Sequence, residues 1–387
     1  MGIKFKFVGF LVTLIIGLAF FVPLVVAGSN WTRPVKITNN GVEEGDLSMA
    51  VHRGRAYIVF VRGERKGREV YLRTNKSGRW KSTRLTRNST ADWAPDIAID
   101  RNGKIHIAYL FGNPRTGGDA EVTYRTNTSG RWRTKVLTNT RAWEENPSIA
   151  AHNGKAHIIY GKDPGQSNEI WYANNKAGNW SKHKITGNGY SEEGGTIAQY
   201  RGVPQAAYTN RMNRKSTSIL ARNDDEIYFG KKRLRRFRRI TFNSSTDGKP
   251  DIAIDSHGKA HIVFIRGDNA ANGGDLEVVY ATNKSGSWRE KRLTNDRTSE
   301  DNPTIAISGG KVFVAYERWA GGDWPKGQMD LVFTQKKVSA RKWQSRQWIT
   351  RTAVDEMLPM VAGDQGRAHV AFRRENPDGE IIYFKQK

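Results

Sequence analysis

Apolar and polar residues alternate along this chain in short runs, and Gly, Asn, Asp or Ser punctuates the runs. Residues 95–138 show the pattern most plainly. Ile97–Asp100 reads as a strand, turned at Asp100–Gly103 into a second strand, Ile105–Tyr109. A Gly-rich loop follows, then Val122–Thr126, a turn at Asn127–Gly130, and Trp132–Thr138. Period-two alternation with turn residues at these spacings predicts four antiparallel strands joined by hairpins.

The same set recurs seven times. First strands begin near Met49, Ile97, Ile149, Ile197, Ile252, Ile305 and Val361, each with an Ala in register. Fourth strands begin at Trp80, Trp132, Trp180, about Arg235, Trp288 and near Trp343, which makes six. The seventh, Trp31–Thr38, stands before any first strand, and the last copy ends after its third strand at Glu380–Lys387. The chain therefore predicts an all-β, seven-bladed β-propeller of four-stranded blades, closed by the N-terminal strand joining the last blade. Such closure leaves no long sheet edge open. The unit at 199–241 is irregular, with a long connection at Thr209–Asp225 and a basic hairpin at Lys231–Arg239.

Residues 1–27 stand apart. Lys4 and Lys6 precede an apolar run from Phe7 to Ala27, and Val25-Val26-Ala27 suits signal-peptide cleavage before Gly28. The run is also nearly long enough to span a bilayer, so an uncleaved anchor is the alternative. Either places residues 28–387, one propeller domain expected to be a monomer, in a secreted or cell-surface setting. No cysteine is present, so core packing alone must hold the domain. The net charge of +25 points to an anionic partner, a glycan or an envelope surface, and export disfavours nucleic acid.

Polar residues repeat too. Three positions before each first-strand Pro or its equivalent stand Glu44, Asp92, Glu144, Glu192, Asp247, Glu300 and Glu356. Just past the second strands stand Arg62, Phe111, Lys162, Asn210, Arg266, Arg318 and Arg374. A ring of carboxylate–cation pairs tying blades together is the expected arrangement, with a catalytic or metal-binding ring as the alternative. Sevenfold repetition disfavours catalysis, which uses a few groups with separated pKa values. His106, His157, His261 and His369 share a position that elsewhere holds Phe313, so they read as core residues rather than metal ligands. The Trp residues that open fourth strands read as packing between blades. No metal site is expected, although Gly117–Asp119, Gly273–Asp275 and Gly321–Asp323 raise Ca²⁺ as an alternative to simple turns.

The unit PxIAIDxxGKxHIAY…EVxYxTNxSGxW resembles the bacterial neuraminidase (BNR) repeats of sialidase-like propellers over roughly residues 31–387. The Asp-box of that family, Ser-x-Asp-x-Gly-x-Thr-Trp, corresponds here to Thr74–Trp80, Thr126–Trp132 and Thr282–Trp288, where Asn replaces Asp and the spacing is shorter. The Arg-Ile-Pro motif of true sialidases is missing, since Phe372-Arg373-Arg374-Glu375 lacks Ile-Pro. The resemblance thus implies the architecture more than the activity. Seven blades and strong positive charge also bring to mind propeller polysaccharide lyases as a class.

A site is expected on the loops of the face bearing the carboxylates. Candidate ligand-binding residues there are Trp93, Trp143, Tyr190, Trp319 and Trp324, with Arg62, Arg266, Arg318 and Arg374. Aromatic planes beside charged groups are how proteins grip sugar rings. The expected role is recognition of an anionic carbohydrate or envelope component. The alternatives are a glycan-degrading enzyme (a sialidase-like glycoside hydrolase or a polysaccharide lyase) and a protein-binding scaffold.

Overall fold

The structure, a computed structural model, describes residues 30–38, 41–63, 67–112, 120–163, 165, 167–211, 225–267, 275–319, 328–375 and 379–387. Among these, twenty-eight strands form seven separate four-stranded antiparallel sheets. Strands are lettered A to D from the axis outwards. Blades 1 to 6 span Glu44–Arg84, Ala91–Val136, Trp143–Lys184, Ser191–Arg239, Thr246–Arg292 and Glu300–Trp348. Blade 7 takes its A to C strands from Glu356–Lys385 and its D strand from Val35–Lys36. The A strands pack against one another in sequence around the axis, and that of blade 1 closes on that of blade 7. Val35 pairs with Tyr383 and Lys36 with Ile382, and a bridge joins Trp31 to Gln386. The architecture is the one the repeat predicts.

The A strands begin earlier than the apolar pattern suggests, at residues such as Glu44, Ala91 and Glu300. The reason is a β-bulge in every A strand, at the position just before the apolar run. Each bulge holds one residue in the left-handed region: Asp46, Ala94, Asn146, Gly194, Lys249, Asn302 and Leu358, with φ between 21° and 60°. Pro follows five of them, which removes a ladder donor at the point where pairing slips. The bulge hides the first part of the strand from a period-two reading.

The core lies between blades. Trp80 meets Tyr383, Trp180 meets Tyr124, Trp288 meets Phe229 and Trp343 meets Tyr280, each edge-on across a blade boundary at 4.9–5.1 Å. Such contacts contribute about 0.5–1.5 kcal/mol each beyond the area they bury. The four strand-B histidines are buried, and each Nδ1 meets a Tyr hydroxyl of its own blade: Tyr124, Tyr172, Tyr280 and Tyr383. Burial lowers the pKa of His157, His261 and His369 to about 4, so these imidazoles stay neutral. A further ring closes the outer strands. Thr38, Thr86, Thr138, Thr186, Thr241, Thr294 and Thr350 are all buried, and each hydroxyl accepts a strand-C backbone N–H.

Candidate functional site at the axial face

The A strands start, and the B strands end, at one face of the ring. The expected carboxylates lie there, buried, and each stands directly across the A–B ladder from the residue paired with it in sequence: Glu44 with Arg62, Asp92 with Phe111, Glu144 with Lys162, Glu192 with Asn210, Asp247 with Arg266, Glu300 with Arg318 and Glu356 with Arg374. Arg62 Nε donates to Glu44 at 2.9 Å, and Arg266 grips Asp247 through two bonds of 2.6 and 2.8 Å. Lys162 Nζ lies 3.2 Å from Glu144, Arg374 Nε donates to Glu356 at 3.1 Å, and Arg318 bonds Glu300. Asp92 and Glu192 have no cation opposite and accept from Asn88 and Asn210 instead.

These bonds lie within a blade, so the expectation that they tie blades together is corrected. What faces the ring across a blade boundary is a second carboxylate. Strand C of each preceding blade opens with a buried acid, and Glu69, Glu121, Glu169, Glu277 and Asp330 push up Asp92, Glu144, Glu192, Glu300 and Glu356 respectively. Burial is the larger cause. Together they raise Asp92, Glu144, Glu192 and Glu356 to about 7 and Glu300 to about 8. Arg62, Arg266, Arg318 and Arg374, candidates for ligand binding, are therefore each engaged by a buried acid.

Inside this ring, all seven A strands line an axial cavity of about 590 Å³. Its wall is set by the left-handed bulge residues and the residue two positions on: Ser48, Asp96, Ser148, Thr196, Asp251, Thr304 and Met360. These side chains are what joins neighbouring blades. Ser48 Oγ donates to Asp96 at 2.6 Å, and Asp96 accepts the Ile149 N–H of the next blade at 2.7 Å. Ser148 accepts from Ile197 N–H at 3.3 Å, and Thr196 donates to Asp251 at 3.1 Å. Asp251 also accepts from Ile252 N–H, Thr304 Oγ1 and Ile305 N–H. Burial raises both aspartates, and the donors around them oppose that shift. Four donors converge on the Asp251 carboxyl and three on Asp96, so both are held in place by the blades they join, and burial still leaves both pKa values raised.

Neither aspartate stood out in the sequence. Each sits one residue before the Ile of the most regular strand run, where alternation reads it as an outward-facing polar residue. The signal lay in the aligned units, whose equivalents are Ser or Thr in four and Met360 in the last. Asp46, Asp96, Lys249 and Asp251 are the charged residues of the described cavity wall, and Lys249 binds Asp301 through bonds of 2.6 and 2.7 Å. Among the described residues no His or Tyr lines this cavity.

The described aromatic candidates lie at this face, outside the cavity lining. Trp93 adjoins the cavity-lining Ala94, and its ring packs on Trp143 of the next blade, 5.8 Å between centroids and 30° between planes. Both are half-buried, so the pair is a small aromatic platform with its underside in the core. Tyr190 is 38% exposed, and Trp319 is half-buried at the end of strand B of blade 6. Trp324 lies outside the described residues, as do the Gly117–Asp119 and Gly321–Asp323 stretches. Of the Gly273–Asp275 stretch only Asp275 is described. Among the described residues no group of three or more acidic or His side chains could hold a metal ion.

Fold and cavity define a seven-bladed β-propeller with a polar well on its axis. No family profile matches the chain, and no curated protein matches its sequence. Among solved structures it is similar to an ulvan lyase of a new polysaccharide lyase family, bound to a saccharide of GlcA and sulfated Rha (TM-score 0.58, 12% identity, 90% of this chain and 95% of that one). Polysaccharide lyase Uly1 (0.57, 11%, 90% and 91%) and the endosialidase of phage phi92 (0.51, 13%, 92% and 69%) are also similar. So is the propeller domain of the trilobed protease from Pyrococcus furiosus (0.53, 10%, 89% and 93%). At these identities the likeness establishes the fold alone.

Proposed function

We propose that the protein recognises a carbohydrate at its axial face, with the flat side of a sugar ring on the Trp93–Trp143 platform and its hydroxyls reaching the polar well. The observation that carries this reading is that tilted, half-buried pair, with Trp93 next in the chain to Ala94 of a cavity walled by Ser, Thr, Asn and Asp side chains. Aromatic faces and convergent polar groups are what sugar binding uses. Three lyase and sialidase propellers among the similar structures agree with a glycan ligand. The BNR-type ancestry implied by the repeat belongs to the same proposal.

Recognition is favoured over turnover because the charged groups of the well are held by structural donors. A lyase needs a base beside the uronate, and His106, His157, His261 and His369 are buried between strands, each bonded to a Tyr, while no described His or Tyr lines the well. An anionic glycan of the expected kind would meet the outer loops of this face and the half-exposed Lys249–Asp301 pair rather than the more buried arginine pairs. The test is a panel of neutral, sialylated and uronate-rich glycans, with binding followed across a salt series and each mixture checked by mass spectrometry for fragments. Saturable, sugar-selective binding without fragments is the expected result. New fragments would make the protein an enzyme, and binding that tracks charge alone would remove the carbohydrate reading.

A further inference from the structure

The cations of the axial-cavity face are offset by carboxylates, and the uncompensated positive charge lies elsewhere. Antiparallel order puts the A–B and C–D turns together on the opposite face. The A–B turns, residues 52–55, 100–104, 152–155, 200–203, 255–259, 308–311 and 364–367, carry nine Lys and Arg and three Asp. The C–D turns read NKSGR, NTSGR, NKAGN, KKRLRR, NKSGS and KKVSARK, which adds fourteen Lys and Arg and no acid. Of the three Asp, Asp100 and Asp255 are buried, and Asp364 accepts the Gly54 N–H of blade 1 at 2.6 Å.

None of these twenty-three cations makes an ion pair among the described residues, whereas on the axial face Arg62, Arg68, Arg266, Arg318 and Arg374 each do. Where the turn cations make contacts, Lys284, Lys311, Lys231 and Lys336 donate to backbone carbonyls and Lys336 and Arg201 lie over aromatic rings, none of which supplies a negative charge. A broad plate of unpaired like charge works against the compact state unless something anionic covers it.

The chain itself indicates what does. Strand D of blade 7 starts from the basic face, because Trp31 bridges Gln386 at the end of the last C strand. Asn30 therefore emerges among the C–D turns, and the apolar run Phe7–Ala27 ends three residues before it. We infer that the basic face lies against an anionic lipid bilayer, held there by headgroup contacts and by the apolar run, with the axial well facing away. A retained apolar run would keep the chain at a bilayer, and the polybasic surface would decide which face lies against it. This arrangement is independent of what the well binds.

The test uses the full chain reconstituted in nanodiscs of phosphatidylcholine alone or mixed with phosphatidylglycerol, with lysine acetylation read by mass spectrometry. In the anionic discs, labelling of Lys76, Lys176 and Lys284 should fall roughly tenfold, since headgroup contacts hold the face down. Labelling of Lys249 at the well should be the same in both discs. High salt, or the triple variant Arg233→Glu, Arg235→Glu, Arg236→Glu, should restore labelling of the turn lysines. Equal labelling in both discs, or protection at Lys249, would overturn the inference. So would protection by soluble dextran sulfate without any by phosphatidylglycerol, which would assign the face to a polymer.

Discussion

Removing Arg266 tests the energetics of the carboxylate ring. Asp247 is fully buried, and Arg266 holds it through two short bonds, while Asn243 Nδ2 supplies one more at 2.8 Å. Beyond it lies buried Glu226 of blade 4, whose pKa burial and Asp247 both raise. Arg266→Met keeps most of the apolar stem and leaves two neighbouring carboxylates without the guanidinium. Stranding one member of a buried ion pair costs about 3–5 kcal/mol. The bond from Arg266 to the more exposed Glu290 adds at most about 1 kcal/mol. Guanidinium denaturation of the parent, Arg266→Met, Asp247→Asn and the double variant would measure this. The single Arg variant should lose most, and the double variant should recover most of that loss. A loss below about 1 kcal/mol, unchanged by Asp247→Asn, would refute the reasoning and make the ring equivalent to surface pairs.

Further outcomes follow from the same geometry. Asp92, Glu144, Glu192, Glu300 and Glu356 bind protons more tightly folded than unfolded. The stability this adds is complete below the unfolded carboxylate value near 4.5 and is lost as pH rises through about 7 to 8. Tm should therefore be higher at pH 5 than at pH 8.5, and a flat or rising Tm over that range would contradict the shifts. Thr241→Val takes the acceptor from Ile227 N–H and a donor from Glu226, and should cost about 1–3 kcal/mol by denaturant midpoint. Gly309→Ala sets a Cβ 2.5 Å from Gly366 Cα at φ +55°, so it should lower Tm more than Gly310→Ala, whose Cβ meets nothing.

The fold was legible because every level of the sequence repeats. Ala in register, Trp at the D strands and the displaced N-terminal strand specify seven closed blades without reference to any one contact. The A–B pairing was legible for the same reason: Glu44 and Arg62, or Glu300 and Arg318, stand at fixed distances from a recognisable strand pair. What holds blade to blade was not. The left-handed residue at each bulge shifts the register, and the axial identities of Asp96, Asp251 and their Ser and Thr equivalents follow only from that shift. Net charge suggested an anionic partner without saying which face would meet it. Charge counts carry no direction, and strand direction is what sorts the turn cations from the ring acids.

The most direct test of carbohydrate recognition at the axial face is titration of the glycan selected from the panel against parent, Trp143→Ala and the Arg233→Glu, Arg235→Glu, Arg236→Glu variant. The account predicts that Trp143→Ala abolishes saturable binding and that the charge-reversed variant binds as the parent does. Binding that survives Trp143→Ala and disappears on charge reversal would contradict it.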